Sequence, residues 1–259
     1  MKKIIALIIA LVLVTLSFAA VAESEDLLDK VLAAGKIIVG TEGTYPPNSY
    51  YDDDENLVGF DVEVAAAIAE KLGVEIEYFV GPWDSLFASM DSGRIDTVIN
   101  EVEVTEERQL KYDFSDPYTY IHGALLVAGD NEEIASFDDL SGKLAAQNST
   151  STWGLLAESY GAEIVPVTAD SQTFDLITTG RADFTLNAET AFADYISKHP
   201  DVDVKIVAHT DSASSSVVPA PKGSEKFVAA VNQAIAELRE DGTLAELSIK
   251  YFNGDFTNE

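Results

Sequence analysis

Two stretches of this chain repeat one another. Ser92-Gly-Arg-Ile-Asp-Thr-Val-Ile-Asn100 is echoed by Thr179-Gly-Arg-Ala-Asp-Phe-Thr-Leu-Asn187. In each copy a helical pattern stops at glycine, which takes the left-handed conformation that ends helices. An apolar segment follows and closes on asparagine. A short apolar run of this kind suits a strand covered on both faces. Two such joins suggest two similar α/β units; coincidence of a common helix-glycine-strand join is the alternative. In open α/β sheets ligands sit beyond the carboxyl ends of strands. Asn100 and Asn187 are then expected to face one cleft between the units.

The rest of the chain keeps the same alternation. The pattern predicts strands over Lys36–Gly40, Val74–Val80, Ile95–Asn100, Gly123–Ala128 and Lys143–Gln147. It predicts helices over Asp61–Leu72, Ser85–Ser92, Thr152–Tyr160, Ser171–Thr179, Glu189–Lys198, Ser224–Asp241 and Thr243–Tyr251. Gly73, Gly161, Gly180 and Gly242 serve as stops. Strands alternating with helices give a mainly parallel sheet covered on both faces. At 259 residues and 47% hydrophobic content the chain can bury a sizeable core.

Composition removes several chemistries. The chain has no cysteine, so disulfides, thiolate metal sites, cysteine nucleophiles and lipid-modified cysteine anchors are excluded. His122, His199 and His209 show neither metal-ligand spacing nor a Ser-His-Asp order. No metal or cofactor is expected. The net charge of −29 repels nucleic acid and anionic lipid, so no nucleic-acid partner is expected. Lys2 and Lys3 precede an apolar run, Ile4–Leu16, and Ala20-Val21-Ala22 precedes Glu23. That layout predicts a secretory signal peptide over 1–22, cleaved at an A-x-A site. The competing reading is an uncleaved anchor, since a span needs about 20 apolar residues.

Gly93–Tyr118, GRIDTVINEVEVTEERQLKYDFSDPY, carries the most specific signal. A strand runs into a polar corner, Thr105-Glu106-Glu107-Arg108, and then a Ser-Asp-Pro-Tyr turn. Thr105 suits a helix N-cap, which places Arg108 in the first helical turn. Its guanidinium can give two parallel hydrogen bonds to one carboxylate. A surface arginine paired with Glu106 or Glu107 is the alternative. The order resembles the polar-amino-acid solute-binding proteins of ABC importers, family 3 of the bacterial solute-binding proteins. Gly59-Phe-Asp-Val-Glu63, Pro82-Trp-Asp84, Asp139-Leu-Ser-Gly-Lys143 and Asp241-Gly-Thr-Leu244 extend the likeness over nearly all of the chain after residue 22. Ile99-Asn-Glu-Val-Glu-Val-Thr105 and Ala146-Gln-Asn-Ser-Thr-Ser-Thr-Trp153 resemble the cystine-binding branch.

The resemblance implies a periplasmic binding protein-like α/β fold: two α/β lobes with mainly parallel sheets, joined by a two-strand hinge. Lobe one is expected over 23–125 plus 218–259 and lobe two over 126–217. The crossings are expected near Leu125–Gly129 and Ser214–Pro221. The implied function is capture of an amino acid, cystine or another polar one, by hinge closure and delivery to a membrane ABC permease. The chain would act as a monomer in the periplasm or on the outer side of the cytoplasmic membrane. An enzyme on the same scaffold, such as a cyclohexadienyl dehydratase relative, and a sensor module for a membrane receptor are the rival functions.

By the same resemblance Arg108 grips the ligand's α-carboxylate, helped by Ser149 and Thr150 ahead of a helix, where free N–H groups favour an anion. Helix capping alone also explains hydroxyls there. The family's ammonium-binding aspartate aligns with Ala188, so the counter-charge must come from elsewhere. Glu103 is the expected source and Glu189 the alternative. Tyr45 and Trp83 are the expected aromatic walls. Asn100, Glu101 and Asn187 complete the expected site, and Asn48 makes its mouth polar.

Overall fold

The computed structural model describes residues 26–168 and 170–259. The expected signal segment over 1–22 lies outside them. The chain runs α1 (Leu27–Ala34), β1 (Lys36–Thr41), β2 (Thr44–Tyr45), β3 (Ser49–Tyr51), β4 (Leu57–Val58), α2 (Phe60–Leu72), β5 (Glu75–Val80), α3 (Trp83–Asp91), β6 (Thr97–Val98), α4 (Glu106–Lys111) and β7 (Tyr112–Phe114). It continues through β8 (Thr119–Ala128), β9 (Leu144–Gln147), α5 (Thr152–Ser159), β10 (Glu163–Pro166), α6 (Asp170–Thr178), β11 (Phe184–Ala188), α7 (Glu189–Lys198) and β12 (Val204–Ser216). It ends with β13 (Pro219–Pro221), α8 (Glu225–Glu240) and α9 (Thr243–Phe252).

Two sheets organise two lobes. The first is three-stranded and parallel, in the order β5-β1-β6. The second has five strands, in the order β10-β9-β11-β8-β12. There β9 pairs in parallel with β10 and β11, while β8 runs antiparallel to β11 and β12. Parallel pairing therefore holds for all of one sheet and half of the other.

Each sheet has its own core. In the first, α8 places Phe227, Val231, Ala234, Ile235 and Leu238 on one stripe at the 3.6-residue period. That stripe packs with Val64 and Ile68 of α2 and Val39 of β1. Fully burying each such large side chain stabilises the fold by about 1.5–3 kcal/mol. In the second, Phe174, Ile177 and Phe192 cover one face of the sheet, while the sheet's own Leu125, Val127 and Phe184 pack on the other with Leu156 and Ala157 of α5. Tyr118 belongs to the first core and Ala124 to the second. The passage between lobes thus falls within β8, before the Leu125–Gly129 stretch that the sequence suggested. The return runs along the 13-residue β12 into β13, with Ser216 opposite Thr119 and Val204 opposite Ala128.

The predicted strand Ile95–Asn100 shortens to Thr97–Val98 for a local reason. The Asp96 carboxylate accepts from the Ile38 amide (2.8 Å) and pairs with Lys30 (2.8 Å), so that β1 amide is taken by a side chain and not by a backbone carbonyl of the neighbouring strand. At the other end, Asn100 turns its side chain to the loop after β1 instead of extending the strand. Its Oδ1 accepts from the Thr41 hydroxyl (2.8 Å) and the Glu42 amide (2.9 Å).

Candidate functional site

A crevice lies between the lobes where the strands end. Glu42 follows β1, Asn100 and Glu101 follow β6, Gln147 and Asn148 close β9, Val167 and Thr168 follow β10, and Leu186 and Asn187 close β11; all line it. This is the position that the strand-end rule predicts for a ligand. Tyr45, Trp83 and Trp153 supply aromatic surface, and Ser151, Thr152, Thr173 and Thr185 supply hydroxyls. The empty volume is about 650 Å³ with the open mouth included, within the usual range for small-molecule clefts.

The lobes meet directly across this space. The Tyr45 hydroxyl, from the first lobe, lies 2.7 Å from Asn187 Oδ1 of the second. It is also hydrogen-bonded to the Glu101 carboxylate. The Ala188 amide donates to the same Asn187 oxygen (2.8 Å), which fixes the amide's orientation. At the rim the Thr150 hydroxyl donates to Asp84 (2.6 Å), and Arg108 Nη2 reaches the Thr150 carbonyl (3.4 Å). The conformation is closed.

Glu101 is held in an unusual way. Its φ is +50°, a left-handed conformation that non-glycine residues adopt rarely and that recurs at functional sites. Its amide donates to Asp61 Oδ2 (2.6 Å), and the Tyr118 hydroxyl donates to Asp61 Oδ1 (2.8 Å). Asp61 is buried. Burial raises its pKa to about 7, against the lowering effect of those two hydrogen bonds.

Arg108 sits beside the crevice, outside its lining. Thr105 caps α4 as expected, accepting from the Arg108 amide (3.1 Å). The guanidinium lies over Trp83 and Phe87, with its carbon 5.2 and 4.9 Å from the ring centres. Nη1 donates to the Glu103 carbonyl (2.9 Å). The pairing with Glu106 or Glu107 that would make it a plain surface residue is not what orients it. Burial lowers its pKa, while Glu103 and Glu107 oppose that shift.

The remaining expected residues divide. Tyr45, Trp83, Asn100, Glu101 and Asn187 line the crevice. Ser149 and Thr150 are exposed, and the lining is formed one step later by Ser151 and Thr152. Ser151 is the α5 N-cap and accepts from the Gly154 amide (3.0 Å). Glu103 bonds instead to the hydroxyls of Thr152 and Ser214, and burial raises its pKa. Glu189 faces His209 at 3.4 Å. Ala188 is buried with Tyr45, Ile121 and Ala191. Asn48 is buried rather than at the mouth, 3.4 Å from the Glu101 carboxylate. Sequence reasoning missed Glu42, Gln147, Trp153 and Thr168. The strand-end rule that found the two asparagines could have found Glu42 as well.

Comparison with known proteins gives matches over most of the chain. Residues 37–254 match the profile of the bacterial extracellular solute-binding proteins, family 3. The L-cystine-binding protein TcyJ of Escherichia coli is 41% identical over 90% of this chain and 88% of its own length. The L-cystine solute receptor of Neisseria gonorrhoeae, in an unliganded open conformation, is 41% identical and covers 91% of this chain and 100% of its own, with a TM-score of 0.62. An ancestral arginine-binding protein bound to arginine is 34% identical and scores 0.79, covering 84% of this chain and 98% of its own. The lower score against an open form, despite higher identity, fits the closed state described above.

Proposed function

The chain belongs to the bacterial extracellular solute-binding proteins, family 3, and on that footing we propose that it captures a free amino acid between its lobes and passes it to an ABC importer. It does so as a monomer outside the cytoplasmic membrane, after loss of residues 1–22. Cystine or another polar amino acid is the ligand. Lobe one is proposed over 23–125 plus 218–259 and lobe two over 126–217, with the first boundary moved back into β8 by the membership of Ala124 and Leu125 in the second lobe's cores. The single observation that carries the reading is the crevice at the strand ends, bridged by Tyr45 and Asn187 from opposite lobes.

Capture makes and breaks no covalent bond. Arg108 takes the α-carboxylate with N–H groups beyond the one engaged by Glu103 and the one near Thr150. The N-terminus of α5, approached through Ser149 and Thr150 and entering the crevice at Ser151 and Thr152, adds backbone donors to the same anion. Trp83 and Tyr45 cover the ligand's carbon chain. Asn100 and Asn187 give neutral polar contacts. Glu101 lies nearest the ammonium; Glu103 and Glu189 act through Thr152 and His209 at the edge. Contacts from both lobes favour the closed state, so ligand drives hinge closure.

A thermal-shift panel of amino acids plus cystine tests this. A ligand at 100 times its dissociation constant adds about 2.7 kcal/mol of stability. At least one amino acid is expected to raise the melting temperature, and Arg108→Ala is expected to abolish the rise. A wild-type chain that responds to none, or a variant that responds like wild type, contradicts the assignment.

A further inference from the structure

The first turn of α2 grips both of the first lobe's crevice loops. Its backbone holds the loop that follows Tyr45: the Phe60 amide donates to the Pro47 carbonyl (3.0 Å) and the Asp61 amide to the Asn48 carbonyl (3.0 Å). These are amides that a helix start leaves without intrahelical partners. The Asp61 side chain holds the other loop. Its Oδ2 accepts from the Glu101 amide (2.6 Å) and its Oδ1 from the Tyr118 hydroxyl (2.8 Å), so both oxygens are engaged and the carboxyl group is fixed in orientation. Asp61 and Tyr118 are both buried. Tyr118 is anchored in turn, its amide donating to the Ser216 carbonyl at the end of β12 (2.9 Å).

Glu101 needs such a hold. Its φ of +50° is strained for a residue that carries a Cβ. Glu55 and Asn253 also have positive φ, but Glu55 lies in an exposed turn and Asn253 caps α9, where that conformation is ordinary. Relaxing Glu101 to negative φ would turn its side chain away from Tyr45 and Asn48, which its carboxylate bonds. A hydrogen bond made away from water is strengthened by the low local dielectric, and here it offsets the strain. Asp61 itself is not part of the crevice lining, whereas Glu101 is. We propose that Asp61 is a positioning residue for ligand capture, which holds Glu101 in the left-handed conformation that presents its carboxylate to the crevice. The inference rests on the reading that the crevice takes an amino acid and that Glu101 lies nearest the ammonium. It adds a residue that acts on affinity from behind the crevice wall.

A double-mutant cycle tests this. The probes are L-cystine and the standard amino acids, titrated calorimetrically one at a time, and the tightest binder is carried to the variants. Asp61→Ala is expected to weaken binding about tenfold or more, the worth of a lost buried hydrogen bond. Asp61→Asn keeps an acceptor oxygen for the Glu101 amide and is expected to stay within about threefold of wild type. In a Glu101→Gly background glycine takes positive φ unaided and no carboxylate is left to place. There Asp61→Ala is expected to cost less than about threefold. A purely structural role would cost the same in both backgrounds. That result, an Asp61→Asn variant as weak as Asp61→Ala, or an Asp61→Ala variant that binds like wild type would overturn the inference and leave amino-acid capture standing. A wild-type chain that binds no probe would end both. Where Asp61→Ala does not fold or Glu101→Gly does not bind, the Glu101 amide proton decides by nuclear magnetic resonance. It is expected far downfield in the wild type and upfield of that in Asp61→Asn; an ordinary position in the wild type would overturn the inference.

Discussion

Asp61 is a carboxylic acid sealed inside the first lobe, and its place behind Glu101 gives it a measurable signature. Its pKa is about 7 in the folded chain against an ordinary 3.8. The folded state therefore holds a proton that the unfolded state releases near pH 4. Stability from this group is highest below that pH, falls as pH rises, and levels off above about 7. The slope in the window is up to about 1.4 kcal/mol per pH unit. Asp61→Asn removes it, so urea unfolding at pH 5 and pH 7 should show wild type losing stability relative to the variant. Parallel profiles would contradict the assignment. At this scale the sequence is half informative. Tyr45 and Trp83 are picked out by the family resemblance and Asn100 and Asn187 by the strand-end rule; with Glu101 they line the crevice. Glu103 reaches the crevice only through Thr152, since its side chain turns to Thr152 and Ser214, a contact that depends on tertiary closure and is not legible in the chain. The role of Asp61 is invisible in the chain, since nothing marks a first-turn helical aspartate as buried.

Helix α5 shows how an element positions the site. An added Cβ on Gly154 would lie 2.2 Å from the Asn148 carbonyl oxygen. That contact is with backbone, so the 148–151 loop would have to move. Gly154→Ala is expected to cost about 1–3 kcal/mol in urea unfolding, the range for overpacking, and to weaken ligand binding by displacing Ser151 and Thr152. Unchanged stability would mean the loop yields freely. The rim contact behaves differently. Asp84 accepts from Thr150 (2.6 Å) and from Asn148 (3.4 Å) across the lobes, at an exposed position. Asp84→Ala should lower ligand affinity by about two- to tenfold, through loss of about 0.5–1.5 kcal/mol from the closed state. The unfolding midpoint without ligand should stay nearly constant. Helices are the legible elements here. The spans of α2, α7 and α8 follow their apolar stripes, and Gly73 and Gly242 mark their neighbourhoods. The polar run of β12 is not legible as a strand. It is held by pairing with β8 through two register shifts, between Ile206 and Ala208 and between His209 and Ala213, and its residues lack a clean alternation. The strands β2 to β4 have only two or three residues each, too few to show a period.

For the whole molecule, charge and hinge are the governing features. A net charge of −29 over 259 residues repels itself in the folded state. Raising ionic strength from about 0.01 to 1 M shortens the screening length from about 30 to 3 Å. The melting temperature should rise over that range, and a flat or falling response would show that ion pairs such as Lys71–Asp241 and Lys250–Glu63 outweigh the repulsion. The two-lobe plan is suggested by the internal echo and completed by the family resemblance; both copies end at the crevice, through Asn100 and Asn187. The place where β8 passes between lobes is not, since the residues from Thr119 to Ala128 form one continuous strand. In the proposed function, ligand closes these lobes. The chain has no cysteine, so spin labels can be placed at Glu107→Cys on α4 and Glu158→Cys on α5, both exposed, without competing sites. Pulsed electron–electron resonance should give a shorter, narrower distance distribution when a bound amino acid is added, and no change when Arg108→Ala accompanies the labels. A distribution that stays the same with every amino acid at saturating concentration would contradict closure around a ligand.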